Sequence, residues 1–198
     1  MSSRTRRLAV PVLLLLVGLA ALTTALYLAF APPSRPTFAA AAIGGPFELV
    51  SQDGKPVTDR DFLGAPHLVF FGFTHCPDVC PTKLFEISEV FRALGDRGKG
   101  VKALFITVDP ERDTPDAMRA YVASFDPRIV GLTGDREAVD KVIRSYRAYA
   151  KKVPLKDGDY TMEHTALVYL MDKGGRFAGS FNLERPPEQA AQDLLRQI

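Results

Sequence analysis

Cysteine, histidine and long basic tracts are scarce in this sequence. Its 198 residues include two cysteines and three histidines, so at most one disulfide can form and a multi-disulfide framework is excluded. A domain of this size can bury a sufficient core without such a framework. The 25 basic residues nearly balance the 23 acidic ones, and three of the basic residues, Arg4, Arg6 and Arg7, lie at the N-terminus. The remainder is near neutral, which argues against nucleic-acid binding.

Charge is also missing from Leu8 to Phe30, a run of 23 residues. A helix of that length rises about 35 Å, which is enough to cross a hydrocarbon core of about 30 Å. The preceding arginines predict that residues 1–7 stay in the cytoplasm, that residues 8–30 form a transmembrane anchor and that the remainder is exported. The alternative is a cleaved signal peptide, because Ala29 to Ala31 resembles a small-x-small cleavage site.

The rest of the chain predicts a linker followed by one α/β domain. Residues 31–46 are rich in proline, alanine and glycine and have no apolar period, which is typical of a linker. In residues 47–198, two near-continuous apolar runs, His67 to Phe73 and Val101 to Asp109, predict buried parallel strands joined by a helix. Further predicted elements are two short strands around Asp53-Gly54, helices near 81–94, 114–125 and 135–149, a strand pair at 165–171 and 176–182, and a last helix from Pro186. This order predicts a thioredoxin-like mixed sheet flanked by helices.

Both cysteines lie in one short stretch, FTHCPDVCP, residues 73–81. Because proline lacks an N–H, we expect a helix to begin at Pro81 and residues 74–80 to form a loop. Cys80 would then lie at a helix N-terminus, where the dipole favours a thiolate. Three interpretations remain open from these residues: a structural disulfide, a redox-active pair and a soft metal site.

A metal site would need a third ligand from elsewhere in the chain. His67 begins a buried strand and is interpreted as structural, and His75 adjoins Cys76, from which its side chain tends to diverge. His164 directly precedes the strand predicted at 165–171. This strand would run antiparallel to the parallel pair, so its N-terminal end would lie beside the cysteine loop. The thioether of Met162 is a weaker candidate donor and is better explained by packing.

A polar segment, Asp109 to Asp113, follows the second buried strand at the same edge of the sheet as the cysteines. Asp109, Arg112 and Asp113 are consistent with a strand end and a helix cap. The alternative is a docking surface for partner proteins. The residues alone do not distinguish these two interpretations.

Three stretches together resemble one family: FFGFTHCPDVCPTKL, FITVDPERDTPDAMRAYV and YTMEHTALVYLMDKGGRF. From Phe47 onward the chain resembles the Sco/SenC family, which are membrane-anchored, thioredoxin-like copper proteins that help to assemble the CuA site of cytochrome c oxidase. The resemblance implies that Cys76, Cys80 and His164 are copper ligands. The family often has aspartate, histidine and serine at the last site, where this chain has glutamate, His164 and threonine, so the acid and the hydroxyl are kept.

The resemblance also implies a function, a cargo and a location. The expected function is that of a copper chaperone, rather than an enzyme, which carries one copper ion per chain, as Cu(I) and also as Cu(II). The expected partners are subunit II of cytochrome c oxidase, a second copper chaperone or a thioredoxin-like reductant, and the membrane. The expected location is a bacterial inner membrane, with the domain in the periplasm, or the equivalent mitochondrial topology. The alternatives are a thiol–disulfide reductase, with Cys76 and Cys80 as its redox-active pair, and a redox or copper sensor.

Overall fold

The computed structural model describes residues 16–23, 43–156 and 158–197. Residues 16–23 form a helix, α1, in a unit separate from the domain Ala41–Ile198. Within the described parts of the chain, no helix is both long and apolar enough to cross a bilayer. Most of the anchor predicted at residues 8–30, all of residues 1–7 and most of the predicted linker lie outside the described residues. Those boundaries therefore stay predictions.

The domain is built on a mixed sheet of seven strands in the order β2-β1-β5-β4-β3-β8-β9. The central strands β3, β4 and β5 are parallel, and β1 and β8 pair antiparallel to β5 and β3 respectively. The strands of the described residues are β1 (Glu48–Ser51), β2 (Pro56–Thr58), β3 (His67–Gly72), β4 (Lys102–Thr107), β5 (Ile129–Thr133), β6 (Ala150–Pro154), β7 (Tyr160–His164), β8 (Val168–Met171) and β9 (Phe177–Ser180). This confirms the predicted mixed sheet of a thioredoxin-like fold.

The centre of the sheet is the core of the domain. All six residues of β3 are buried, as are five of the six in β4, because a strand covered on both faces buries both sets of alternating side chains. In the described part of the domain, four α-helices flank the sheet, and α2 packs against α5. They are α2 (Val79–Leu94), α3 (Pro115–Val122), α4 (Arg136–Ser145) and α5 (Pro187–Leu195).

Local sequence signals explain where several helices begin. Thr114 caps α3, since its side chain accepts the N–H of Ala117, and Pro115 occupies the first helical turn, as predicted. Asp135 caps α4 in the same way by accepting the N–H of Ala138. α4 ends at Ser145, earlier than the predicted Tyr149.

Three strands of the described residues were not predicted from the sequence. β5 is the third parallel strand, and β6 and β7 form a separate two-stranded antiparallel sheet. The strand predicted at 165–171 begins only at Val168. His164 is instead the last residue of β7 and belongs to the separate sheet, where it pairs with Ala150.

Candidate metal centre

The chain brings Cys76, Cys80 and His164 together at one edge of the domain. The nitrogen or sulfur atoms that these side chains offer all lie within 4.8 Å of one another. Cys76 lies on the loop that follows β3, Cys80 lies in the first turn of α2, and His164 ends β7. The parallel strands end at this edge, which is where open α/β sheets bind ligands.

Helix α2 begins earlier than the sequence predicted. Its first residue is Val79, so Cys80 and Pro81 are its second and third residues. The prediction that the helix starts at Pro81 was too strict, because the first four N–H groups of a helix have no intrahelical acceptor and a proline there breaks no hydrogen bond. The predicted loop 74–80 therefore ends at Asp78, and Cys80 is part of the helix.

Cys80 is packed into the core of the domain. Its side chain is buried, and its sulfur lies against Gly72 and near Phe105: a Cβ built on Gly72 would lie 2.7 Å from Sγ and 2.6 Å from Cε2 of Phe105. Burial raises the pKa of the Cys80 thiol strongly, since removal from water penalises the charged form. The predicted effect of the helix dipole, which favours a thiolate at Cys80, is therefore opposed in the metal-free protein by burial, which favours the neutral thiol.

Cys76 lies at the rim of the site and is half-buried. Its sulfur accepts the backbone N–H of Cys80 at 3.4 Å. This N–H lies in the first turn of α2, where it has no acceptor within the helix, and the sulfur of Cys76 takes that place. The loop that carries Cys76 is held by the buried side chain of Asp113. This carboxylate accepts hydrogen bonds from the backbone N–H of Thr74 at 3.1 Å and from the Thr74 hydroxyl at 2.6 Å. Burial raises the pKa of the Asp113 carboxyl, although these hydrogen bonds oppose the shift.

The imidazole of His164 is oriented by the backbone of the next residue, Thr165. Nδ1 lies 3.1 Å from the carbonyl oxygen of Thr165, and because a carbonyl can only accept, Nδ1 carries the proton. Nε2 then presents a lone pair, and it lies 3.5 Å from Sγ of Cys80. The rings of Phe70 and Phe73 meet the imidazole edge-on at 6.2 and 5.8 Å. Burial lowers the pKa of His164, which favours the neutral form that a metal ligand needs.

These three donors suit a soft metal ion. Two sulfurs and one imidazole nitrogen match Cu(I), whereas a structural zinc site takes four protein ligands. Within the described residues, this is the group of three or more His, Cys, Asp or Glu side chains that converges closely enough to hold an ion. The outer partner of the imidazole, a backbone carbonyl, is also the kind that fixes the tautomer of metal-binding histidines.

The other predicted candidates lie outside this group. His67 is buried in β3, at the opposite end of the strand from Gly72, in agreement with a structural role. His75 is exposed, with Nδ1 3.1 Å from Oγ1 of Thr74. Met162 is buried in the hydrophobic core, as its packing interpretation predicted.

Asp109 does not form a docking surface, because it is completely buried. It accepts a hydrogen bond from the hydroxyl of Tyr160 at 3.0 Å and one from Nε of Arg112 at 2.5 Å. Tyr160 and Gly72 are residues near the site that the sequence reasoning missed. The position of Asp109 at the end of an apolar run was a usable signal, but nothing in the sequence pairs this residue with a tyrosine 51 positions away.

Comparisons with known proteins agree with this geometry. A family model described as SCO1/SenC matches residues 35–198. The mouse protein "Protein SCO1 homolog, mitochondrial" is 43% identical over 159 residues, which cover 79% of this chain and 56% of that protein. The chain thus spans about half the length of such curated relatives.

Solved structures show the same fold. The structure of Bradyrhizobium japonicum ScoI with copper bound has 64% sequence identity and a TM-score of 0.77, and the match covers 79% of this chain and 100% of that one. The crystal structure of yeast Sco1 with copper bound has 33% identity and a TM-score of 0.71, with coverage of 78% and 87%. With a family model matched over most of its length and copper-bound relatives of the same fold, the chain belongs to the SCO1/SenC family.

Proposed function

We propose that this protein binds one copper ion through Cys76, Cys80 and His164 and delivers it to the CuA site of cytochrome c oxidase. The observation that carries the proposal is the convergence of three soft or borderline donors within 4.8 Å, with Nε2 of the histidine free to bind. The copper-bound structures of the bacterial and yeast relatives support copper as the ion.

The position of the site suits a carrier. Cys76 and His164 are only partly buried, so a partner's ligands can approach the ion from the side of the rim. Three protein donors leave room for an incoming ligand, and copper can pass to the partner by exchange of one ligand at a time. A buried four-ligand site would lack this route.

Binding is tested first with the reduced full-length protein. We expect one equivalent of Cu(I) to bind, and we expect alanine at any of the three positions to weaken binding by about 100-fold or more, since even outer partners of metal ligands cost 10–100-fold. His75→Ala is the matched control, because it removes an exposed imidazole close to Cys76. Wild-type affinity in the His164→Ala variant would refute the three-ligand site.

The oxidation state of the cysteines gives a second test. The same sulfurs cannot form a disulfide and also bind copper as thiolates. We expect the oxidised protein to take up almost no copper at this site and uptake to return on reduction. Equal uptake by both forms would place the copper elsewhere.

The second candidate function is thiol–disulfide reduction of the oxidase cysteines. It is favoured by the two free thiols, Cys76 at the rim and Cys80 buried behind it, which lie close enough for the sulfur of Cys76 to accept the N–H of Cys80. His164→Ala separates the two functions, because it keeps both thiols and removes one copper donor. For a carrier, this variant should fail to restore the oxidase copper site in cells with low copper supply. Full restoration would favour the reductase. Sensing of copper or redox state is the third candidate, and there the oxidase copper site would form without the protein.

The proposal includes the location and the partners. An anchor at residues 8–30 would hold the domain in the periplasm, or on the equivalent side of the mitochondrial inner membrane, beside subunit II of the oxidase. A second copper chaperone would load the site, or a thioredoxin-like reductant would keep its cysteines reduced. A reporter that is active only outside the cytoplasm, fused after Ile198, should be active. An inactive reporter would contradict this topology.

A further inference from the structure

His164 lies on a part of the domain that the main sheet does not hold. β6 and β7 hydrogen-bond to each other but form their own two-stranded sheet. A two-stranded hairpin is marginally stable by itself. Something other than the sheet must therefore fix the histidine against the cysteines, which belong to β3 and α2.

Three side chains connect the start of β7 to the end of β4. The hydroxyl of Tyr160 donates to Oδ1 of Asp109 at 3.0 Å. Nε of Arg112 donates to the other oxygen, Oδ2, at 2.5 Å. The guanidinium carbon of Arg112 lies 3.7 Å from the centroid of the Tyr160 ring, and Nη1 donates to the Tyr160 carbonyl at 3.1 Å. We call Asp109, Arg112 and Tyr160 the clasp.

The charged pair of the clasp, Asp109 and Arg112, is largely sheltered from water, so its contact is stronger than a surface one, whereas Tyr160 is partly exposed. Asp109 is completely buried, and the side chain of Arg112 is 17% exposed. Removing one partner of such a pair leaves the other charge buried and uncompensated, which is costly. A guanidinium over a tyrosine ring adds a cation–π contact of the type that burial strengthens.

The clasp reaches His164 by two routes. Tyr160 and His164 are the first and last residues of the same short strand. Arg112 also lies 6.0 Å from the ring of Phe73, and that ring meets the imidazole of His164 edge-on at 5.8 Å. The position of His164 therefore depends on Arg112 in two ways, through the backbone of β7 and through contact with the ring of Phe73.

We propose that the clasp positions His164 for copper, by fastening the β6–β7 hairpin to the strand edge that carries the cysteines. This inference rests on the proposed copper function. Asp109, Arg112 and Tyr160 do not touch the ion. They keep Nε2 of His164 within reach of the two sulfurs, and without them the hairpin would present the histidine only part of the time.

The first test removes one hydroxyl. Tyr160→Phe keeps the ring and the contact with Arg112 but loses the bond to Asp109, and we expect the affinity for Cu(I) to fall about 10-fold, as for other outer partners of metal ligands. The matched control is Tyr149→Phe, because the Tyr149 hydroxyl makes an exposed contact with Glu163 at 3.4 Å. This control should keep wild-type affinity.

A second pair of variants compares two similar arginines. Arg112→Lys keeps the charge but loses the planar fork, and it should weaken Cu(I) binding at least 10-fold, as for other outer partners. Arg128 is a matched control, because it also pairs with an aspartate, Asp126, at 2.8 Å and lies over a ring, that of Phe91, at 4.7 Å. Its cluster holds no candidate ligand, so Arg128→Lys should leave copper affinity unchanged.

Double-mutant cycles separate positioning from general damage. If the clasp acts through His164, Tyr160→Phe and Arg112→Lys should have no further effect on Cu(I) affinity in the His164→Ala background. A purely structural effect would instead persist in that background. The visible absorption of the Cu(II) form provides a second readout, since displacement of the imidazole should shift its sulfur-to-copper band in the clasp variants and not in the controls.

A measurement without metal completes the test. In the copper-free protein, the backbone amides of the β6–β7 ladder should exchange faster in Tyr160→Phe than in the wild type, while those of β3 and β4 should not change. If the wild type binds copper and His164→Ala weakens binding, but both clasp variants bind like the wild type, the positioning role is refuted and the proposed function stands. If the wild type binds no copper, both are refuted.

Discussion

The two sides of the metal centre are built in different ways. The cysteine side belongs to the core: Cys80 is fully buried in α2 and rests on Gly72 of β3, one of the three parallel strands in the middle of the sheet. The histidine side is a short two-stranded sheet separate from the main one. It is attached through the buried side chain of Met162 and through polar contacts of Tyr160 with Asp109 and Arg112. Damage to the cysteine side should therefore cost both folding stability and copper, whereas damage to the histidine side should cost mainly copper.

The largest effect is expected from Gly72→Ala on the cysteine side. The new Cβ would lie 2.7 Å from Sγ of Cys80 and 2.6 Å from Phe105, so the buried sulfur must move. We expect the free energy of unfolding to fall by about 3 kcal/mol, the upper part of the range for overpacked cores, and copper affinity to fall with it. Chemical denaturation and Cu(I) titration measure the two effects.

The matched control for Gly72→Ala is Gly100→Ala. A Cβ at Gly100 would meet only the Cβ of Ala65, at 3.4 Å, which is ordinary contact. This control should keep wild-type stability and copper affinity. If Gly72→Ala were equally silent, the cysteine side would not depend on the core in the way described.

A smaller effect is expected from Asp113→Asn, which acts on the loop of Cys76. The carboxylate accepts the N–H and hydroxyl of Thr74 and the hydroxyl of Thr107, all within 3.1 Å. The amide nitrogen of asparagine cannot accept, so a buried donor loses its partner at a cost of about 2 kcal/mol. Asp135→Asn is the control, because asparagine caps a helix as well as aspartate does. Equal unfolding midpoints for the two variants would contradict this account.

Next in size is a difference in reactivity between the two cysteines. Burial shields Cys80 and raises the pKa of its thiol, while Cys76 is half-buried at the rim. In the reduced, copper-free protein, iodoacetamide should modify Cys76 at least about 10-fold faster, which corresponds to about 1.4 kcal/mol in activation free energy. Mass spectrometry of digests measures the modification rate at both cysteines, and the variant Cys76→Ser gives the rate of Cys80 alone. Equal rates would mean that both sulfurs belong to the rim.

The smallest effect concerns His67, at the other end of β3. Burial lowers the pKa of this histidine from 6.5, so the unfolded chain binds a proton that the folded protein does not. Stability therefore falls as the pH drops below 6.5, by about 1 kcal/mol over the first pH unit for one such group. Denaturation of the copper-free protein at a series of pH values measures this effect. The free energy of unfolding of His67→Gln should depend less steeply on pH in this range than that of the wild type. An unchanged slope would show that His67 is not the group responsible.

The sequence predicted the cysteine side well and the histidine side poorly, for a physical reason. Strands such as HLVFFG and KALFIT are buried on both faces and therefore read as apolar runs, and Thr114-Pro115 is a local helix start. β6 and β7, by contrast, are AKKVP and YTMEH. They are partly exposed and lack a regular alternation, so no apolar pattern marked them as strands.

The missed details of the site have similar causes. The type and spacing of Cys76 and Cys80 indicated a soft pair, but the choice of His164 rested on a family resemblance, because the position of a lone histidine depends on long-range packing. β5, IVGLT, was missed although it is a five-residue apolar segment between turn residues. The start of α2 at Val79 was missed because a proline in the first turn was treated as the first residue of the helix.

The distance along the chain between Cys80 and His164 has a consequence for the copper-bound state. These residues are 84 positions apart, so an ion shared by them would act as a removable cross-link that closes a long loop. In the chain-entropy relation for disulfides, closing a loop of this length raises the free energy of the unfolded chain by about 4–5 kcal/mol. Release of the ion would remove that constraint in the same step, and the copper-free protein would unfold more readily than the copper-bound one.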